Sequence, residues 1–195
     1  MALIKPAPTN TMRQTLTDGL KKFVQPDDPM VSALANGPCH WVFTLALPEL
    51  LGNGGGIAKA KAAGWRFLAS SGNDTAAAEL SEPPPGGRPL KVRSFARGPQ
   101  FLQAIHAARE VEGLPQASDQ HYELRVLRVP GLLMEGFWLK AQGTGEDYVV
   151  PYVVPEGQRE YRRVLSMSEF LNTVRPLAEA AIAFDDSPRG RKARH

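Results

Sequence analysis

The sequence has a single cysteine, Cys39, among its 195 residues. One thiol cannot form a disulfide within the chain, and sparing cysteine use is typical of reducing compartments. The neighbouring imidazole of His40 is a potential base, but adjacent side chains of an extended segment point to opposite faces. Without a second cysteine, and with the other histidines scattered, we predict a structural thiol, no metal site and no cofactor.

Long apolar runs are also missing. The longest, Trp41 to Leu47, has seven residues and is interrupted by Thr44, whereas a membrane-spanning helix needs roughly 20. The first ten residues contain two prolines and no apolar stretch of the kind that a signal peptide requires. We therefore expect a cytoplasmic protein without a membrane partner.

The body of the chain lacks a surplus of charge. Lysine and arginine number 23 against 20 acidic residues, and four of the basic residues stand within the last seven: Arg189, Arg191, Lys192 and Arg194. Without this tail, 23 − 4 leaves 19 basic against 20 acidic residues, a net charge of −1. Proteins that bind nucleic acid usually carry a basic stripe on the folded face. Nucleic-acid binding is therefore not expected, except through the tail.

The composition that is present, 43% hydrophobic and 22% charged residues, is that of an ordinary globular protein. Short strands bounded by Pro-Gly and Gly-rich turns alternate with two amphipathic helical patterns, at 99–112 and 168–184. This pattern predicts an α+β fold, in which an antiparallel sheet of hairpin-linked strands is covered on one face by the two helices.

The chain divides into three parts on the same evidence. Residues 1–63 contain an amphipathic helix, a buried strand and a glycine loop, and we interpret them as an N-terminal extension. The α+β domain is predicted at 64–184, and residues 185–195 read as a flexible basic tail.

A weak internal similarity concerns the two helices. The segment Phe101–Ile105 resembles Phe170–Val174, and each follows three candidate strands. Residues 64–184 are therefore a candidate for two copies of a strand-strand-strand-helix unit. Any two amphipathic helices share such a pattern, so the duplication stays one of two open interpretations.

The glycine loop at 52–56 lies between a buried strand and a short helical run. Backbone N–H groups at a helix start bind anions, which makes Gly54, Gly55 and Gly56 candidate ligand-binding residues. The loop lacks the Lys-Ser or Lys-Thr of a phosphate-binding Walker A loop, and Ile57 stands where the dinucleotide fingerprint needs glycine or alanine. A surface loop is the alternative that this mismatch favours.

Glu135 is the one acidic residue inside an apolar strand. A buried carboxylate is costly unless it is paired, and Arg125 or Arg128 on the preceding strand is the expected cross-strand partner. A catalytic role requires a second carboxyl group nearby, for which Asp147 is the only obvious candidate. Arg125 and Glu135, together with the glycine loop, are therefore candidates for lining a ligand cleft.

Aromatic residues crowd the C-terminal strands. If several share one exposed face, they form a platform for a peptide or another subunit; the alternative is ordinary sheet core. The interface candidates are Trp138, Tyr148 and Tyr152.

These observations assign no catalytic residue, because no constellation passes a spacing test. The leading prediction is a non-enzymatic binding or assembly module that acts through protein–protein contacts, with an unknown protein or a second copy of itself as partner. The alternative is a small-ligand or anion-binding protein, or an enzyme, with its cleft near Glu135, Arg125 and residues 52–56.

Overall fold

The structure is a computed structural model that describes residues 3–4, 6–52, 56–81, 90–114, 121–155 and 161–186. It confirms the α+β class, with a mostly antiparallel sheet and packed helices. The strands are β1 (Leu3–Ile4), β2 (Cys39–Thr44), β3 (Lys61–Ser71), β4 (Asp74–Ser81), β5 (Val92–Arg97), β6 (Tyr122–Val129), β7 (Met134–Ala141), β8 (Tyr148–Val153) and β9 (Leu165–Ser166). The helices are α1 (Asn10–Leu20), α2 (Pro29–Asn36), α3 (Leu47–Leu51), α4 (Gln100–Glu112) and α5 (Met167–Asp186).

The sheet consists of two antiparallel halves that meet at its centre. Its order is β5-β4-β3-β2-β6-β7-β8-β9, and β1 pairs in parallel with the beginning of β6. The first strands of the two halves, β2 and β6, lie side by side in parallel, with Trp41 opposite Arg125. Each half thus has four strands followed by a helix. The repeated arrangement begins at β2, whereas the unit predicted from the sequence begins at residue 64.

Strand β2 corrects the interpretation of residues 1–63 as an extension. It lies in the middle of the sheet, where it pairs with both β3 and β6. About 80 residues separate β2 from β6. Parallel strands so far apart are not joined by a hairpin turn, so the sequence contains no local signal for their pairing. The boundary predicted at residue 63 therefore does not divide the sheet.

The helices cover both faces of the sheet, and the expectation of one covered face is wrong. Neighbouring residues of a strand point to opposite faces. Val126 and Phe137 pack in the core that contains α4, whereas Leu127 and Trp138 pack in the core that contains α3 and α5. Because β6 and β7 are apolar on both faces, both faces need cover. We call the two sides the α4 face and the α5 face.

Local signals explain several helix boundaries. The Thr9 hydroxyl caps α1 by accepting a hydrogen bond from the Met12 N–H (3.2 Å). At the start of α5, Ser166 and Glu169 form a reciprocal capping box. Helix α5 extends to Asp186, and the remainder of the predicted tail lies outside the described residues. Within the described ranges, every helix is too short or too polar to cross a membrane.

Cys39 and His40 point in opposite directions, as the extended-strand argument predicts. The Cys39 thiol is fully buried in the core beneath α1 and α2, and its Sγ donates to the Pro6 carbonyl oxygen (3.3 Å). Burial raises the pKa of this thiol to about 11. His40 packs with its ring 5.5 Å from that of Phe137, which belongs to the core of the α4 face. The two side chains therefore do not form a nucleophile–base pair.

Candidate functional site

The α4 face carries a cluster of five polar side chains, one from each of five strands. We call them the ion cluster: Arg66 of β3, Glu79 of β4, Arg128 of β6, Glu135 of β7 and Tyr152 of β8. Arg66, Glu79 and Arg128 are each flanked along the strand by apolar residues that pack toward the opposite face. The fold therefore brings together polar groups that are up to 86 positions apart.

Arg66 is the centre of the ion cluster. Its side chain is 6% exposed, and its Nε and Nη2 both donate to Glu79 Oε1 (2.9 and 2.6 Å). Nη1 and Nη2 donate to Glu135 Oε2 and Oε1 (2.5 and 3.0 Å), and Nη1 also reaches Tyr152 Oη (3.1 Å). All three guanidinium nitrogens are therefore engaged within the cluster.

Arg128 closes the network. Its Nε donates to Glu135 Oε1 (2.8 Å) and its Nη2 to Glu79 Oε1 (2.5 Å). Of the two partners proposed for Glu135 from the sequence, Arg128 is thus the one that the structure selects. Arg66 was missed because β3 is not adjacent to β7. Two guanidinium groups and two carboxylates cancel, so the cluster as a whole is neutral.

The electrostatics of the ion cluster are unsuited to acid–base catalysis. Burial opposes the ionisation of Glu135, but the hydrogen bonds and charges of Arg66 and Arg128 outweigh it and lower its pKa to about 2. The same balance holds the pKa of Glu79 below its usual value, and burial raises the pKa of Tyr152 well above its usual value. At neutral pH both carboxylates are charged and the phenol keeps its proton, whereas a general acid or base needs a pKa near the working pH.

Asp147 does not act as the second carboxyl group for Glu135. It accepts hydrogen bonds from Trp138 Nε1 (3.0 Å) and from the Ala141 N–H (2.9 Å), and it pairs with Lys140. The carboxylate that accompanies Glu135 is Glu79.

The α5 face carries a different arrangement, a row of half-buried aromatic rings on adjacent strands. We call Trp41, Phe43 and Trp65 the aromatic strip. The rings of Trp41 and Trp65 lie against each other at a tilt of 34°, with 3.8 Å between centroids, because the two residues are directly paired in the β2–β3 hairpin. Phe43 meets the buried Trp138 edge-on at 5.3 Å.

Arg125 lies beside the aromatic strip. Its guanidinium carbon is 4.7 Å from the ring centroid of Phe43 and 4.9 Å from that of Trp138, within the range of cation–π attraction. Its Nη2 donates to Glu123 (2.7 Å), and its side chain is 19% exposed. Within the described part of the chain, the buried Nε of Arg125 has no acceptor. The guanidinium of Arg125 is thus held in place, but part of its hydrogen-bonding capacity is unused.

Trp41 differs from the other members of the strip in its packing. Trp65 packs against the core beneath α1 and α2, and Phe43 packs against the core beneath α3 and α5. Trp41 belongs to none of the three apolar cores formed by the described residues, although it is half-buried. The ring of Trp41 thus lies between the cores that Trp65 and Phe43 contact. It packs against these two aromatic neighbours and contributes little to the interior.

The ligand cleft proposed from the sequence does not assemble from all of its predicted parts. Arg125 pairs with Trp138 on the α5 face, whereas Glu135 pairs with Arg128 on the α4 face. Gly54 and Gly55 lie outside the described residues. Gly56 adopts a φ of +137° and donates its N–H to the Glu49 carbonyl (3.3 Å). The sheet therefore separates Arg125 from Glu135.

The three interface candidates are placed in the sheet core. Trp138 and Tyr152 are 4% and 3% exposed and point to opposite faces, and the half-buried Tyr148 packs against the core of the α4 face. The half-buried aromatic strip lies instead on β2 and β3. The sequence does carry a signal for it, since alternation along β2 places Trp41 and Phe43 on one face.

Comparison with known proteins adds no relative: no family model matches the chain, and no curated protein or solved structure is significantly similar to it. Among the residues that the structure describes, no three histidine, cysteine or acidic side chains come together as metal ligands do.

Proposed function

We propose that the chain is a non-enzymatic assembly module that binds a second copy of itself through the aromatic strip. The proposal rests on the packing of Trp41, whose large half-buried ring lies in no core of the described residues. An interior role does not account for such a residue, whereas an interface role does. Tryptophan and arginine are the residue types that most often dominate binding energy, and Trp41, Trp65 and Arg125 lie together here.

The charges beside the strip favour a second copy as the partner. Arg125 and Glu123 lie side by side. A two-fold axis through this surface can bring Arg125 of one copy opposite Glu123 of the other. The body without the basic tail carries a net charge of −1, so two copies repel each other weakly. The sheet edge β5 is less suitable, because the exposed Arg93 of one copy would lie close to the same arginine of the other.

The cytoplasmic location expected from the single cysteine belongs to the same proposal. An apolar surface that an identical subunit covers requires neither a membrane nor an extracellular partner, so the proposed dimer is compatible with the cytoplasm. Cell fractionation of the full chain tests it, and recovery in a membrane or secreted fraction would contradict it.

The test of self-association is sedimentation velocity over protein concentrations from about 5 to 500 μM, a range that captures dissociation constants from tight to weak. We expect a monomer–dimer equilibrium with a dissociation constant below about 100 μM. Trp41→Ser should weaken it by at least about tenfold, because an interface anchor contributes about 1.4 kcal/mol or more.

The matched control is Phe23→Ser. Phe23 is an aromatic residue that is 50% exposed and contacts Phe95 on β5, three strands from β2. Its loss should leave the equilibrium unchanged within about twofold. A wild-type chain that stays monomeric at the highest concentration, or a Trp41→Ser variant that dimerises as well as wild type, would refute the proposal.

A further inference from the structure

A cavity of about 340 Å³ lies on the α4 face beside the ion cluster. Its volume is within the range of small-ligand pockets. The polar lining comes from Arg66, Glu79, Arg93, Ser94 and Arg128, and the apolar lining from Ala77, Ala96 and Phe101. It lies across the sheet from the aromatic strip, so what it binds is independent of self-association.

Positive charge dominates the cavity wall. Three guanidinium groups face it against the single carboxylate of Glu79, which leaves a surplus of two positive charges. Glu135, behind Arg66 and Arg128, reduces the surplus of the whole region to one. The described hydrogen bonds of Glu79 all use Oε1 and all come from guanidinium groups, so its charge is already compensated. The remaining potential favours an anion.

Two of the guanidinium groups retain free donors. Arg128 uses Nε and Nη2 in the ion cluster, and its Nη1 has no acceptor in the described part of the chain. Arg93 is exposed and forms no ion pair with any described residue. The hydroxyl of Ser94 stands beside them. Arginine donors of this kind bind phosphate and carboxylate groups with two parallel hydrogen bonds.

The backbone at Arg93 is shaped to present its side chain. Glu79 pairs with Ser94 and Leu80 with Val92, so Arg93 is the extra residue of a β-bulge on the edge strand β5. Bulges re-aim a side chain and occur often next to binding sites. Without the bulge, Arg93 and Ser94 would point to opposite faces of the sheet; both line this cavity.

We propose that this cavity binds the phosphate or carboxylate group of a small molecule, with Arg93 and Arg128 donating hydrogen bonds to the oxyanion. The apolar part of the ligand lies against Phe101, Ala77 and Ala96. Arg128 is fixed by Glu79 and Glu135, so one side of the site is preorganised, while the exposed Arg93 closes over the anion from the strand edge.

The test uses phenyl phosphate, benzoate and phenol as probes, which share the ring and differ in the anionic group. Each is titrated to about 10 mM into the full chain at matched ionic strength, a range suited to weak small-anion sites. Binding is followed by the arginine Nε–Hε NMR signals. We expect saturable shifts at Arg93 and Arg128 with at least one of the two anions and none with phenol.

Two variants of exposed residues complete the test. Arg93→Ala should weaken the binding of the responding anion by about fivefold or more, because a charge-assisted pair of hydrogen bonds is lost. Lys91→Ala removes a cation of the same exposed segment that does not line the cavity, and should change binding by less than about twofold. Saturation by phenol as well, no saturable shift with either anion, or equal affinity in Arg93→Ala would overturn the proposal. None of these outcomes bears on dimerisation.

Discussion

The ion cluster and the aromatic strip occupy opposite faces of one sheet. They differ in how fully their side chains are bonded and packed. In the ion cluster, every nitrogen of Arg66 is bonded and the charges of its four ionised residues cancel. Beside the aromatic strip, Arg125 has a buried Nε without an acceptor among the described residues, and Trp41 packs in none of their three apolar cores. The charges of the ion cluster hold five strands together, whereas the aromatic strip includes a large ring that no apolar core of the described residues contains.

The difference shows that perturbed titration alone does not mark a functional site. Glu135 has the strongly lowered pKa that often accompanies catalysis, but its partners satisfy it completely. The half-buried Trp41 has no such signature, and its isolation from the cores is what marks it. The following changes probe this contrast.

Glu135→Gln should have the largest effect on stability. It leaves Arg66, which is 6% exposed, and Arg128 with one carboxylate between them. Breaking a buried pair costs about 3–5 kcal/mol, and the 22% exposure of Glu135 places the expected loss near about 3 kcal/mol. Urea unfolding measures it. Glu146→Gln, an exposed change, should stay within about 0.5 kcal/mol of wild type, and equal losses in the two variants would contradict a buried network.

The stability of the protein should fall as the pH is lowered from about 5 toward 2. Glu135 binds a proton near pH 4.5 when unfolded but only near pH 2 when folded, so between these values the unfolded state binds more protons. The stabilisation, present above this window, should decrease by about 2–3 kcal/mol across it, the lower figure allowing for solvent screening. Urea midpoints at several pH values test this. An unchanged pH dependence in Glu135→Gln would be inconsistent with it.

Trp41→Ser should cost the monomer only about 1 kcal/mol. The variant loses a ring that lies against Trp65 and empties no apolar core of the described residues, and aromatic pairs contribute about 0.5–1.5 kcal/mol. Unfolding at a concentration below that of self-association measures the loss. A loss of about 4 kcal/mol, which is typical of a core tryptophan, would show that Trp41 belongs to the interior and not to a binding surface.

Tyr152→Phe should have the smallest effect, about 0.5–1 kcal/mol. The hydroxyl accepts from Arg66 Nη1 (3.1 Å) and donates to Glu135 (3.3 Å), but Arg66 Nη1 keeps its bond to Glu135. Urea unfolding checks the value. A loss as large as that of Glu135→Gln would show that the phenol, rather than the charges, organises the ion cluster.

Much of the fold follows from local patterns in the sequence. The Ser166–Glu169 pair marks the start of α5, and the Pro-Gly turn after β6 separates two strands that pair as a hairpin. Pro151 predicts an edge or bulged strand. The structure has a register shift opposite it, and β9 pairs only with the first two residues of β8. The composition of residues 25–38 predicts turns, whereas the structure has helix α2 there, capped by Asp28 and with Pro29 at its first position.

The sites were less predictable because they depend on which strands become neighbours. Glu135 was recognised as a residue in need of a partner, and cross-strand geometry correctly suggested Arg128. Arg66 could not be identified, because β3 reaches β7 only across β2 and β6. Likewise, the consecutive apolar residues Phe137 and Trp138 signal a sheet buried on both faces, but which helix covers each face follows from the long-range pairing of β2 with β6.

Hydrogen–deuterium exchange of the wild-type chain at about 5 and 500 μM would locate the self-association surface without any substitution. We expect slower exchange at the higher concentration in 39–44, 61–71 and 122–125, the strands that carry the strip and Arg125, with 92–97 unchanged. Protection confined to 92–97, or identical exchange at both concentrations, would show that the α5 face does not carry the self-association surface of this protein.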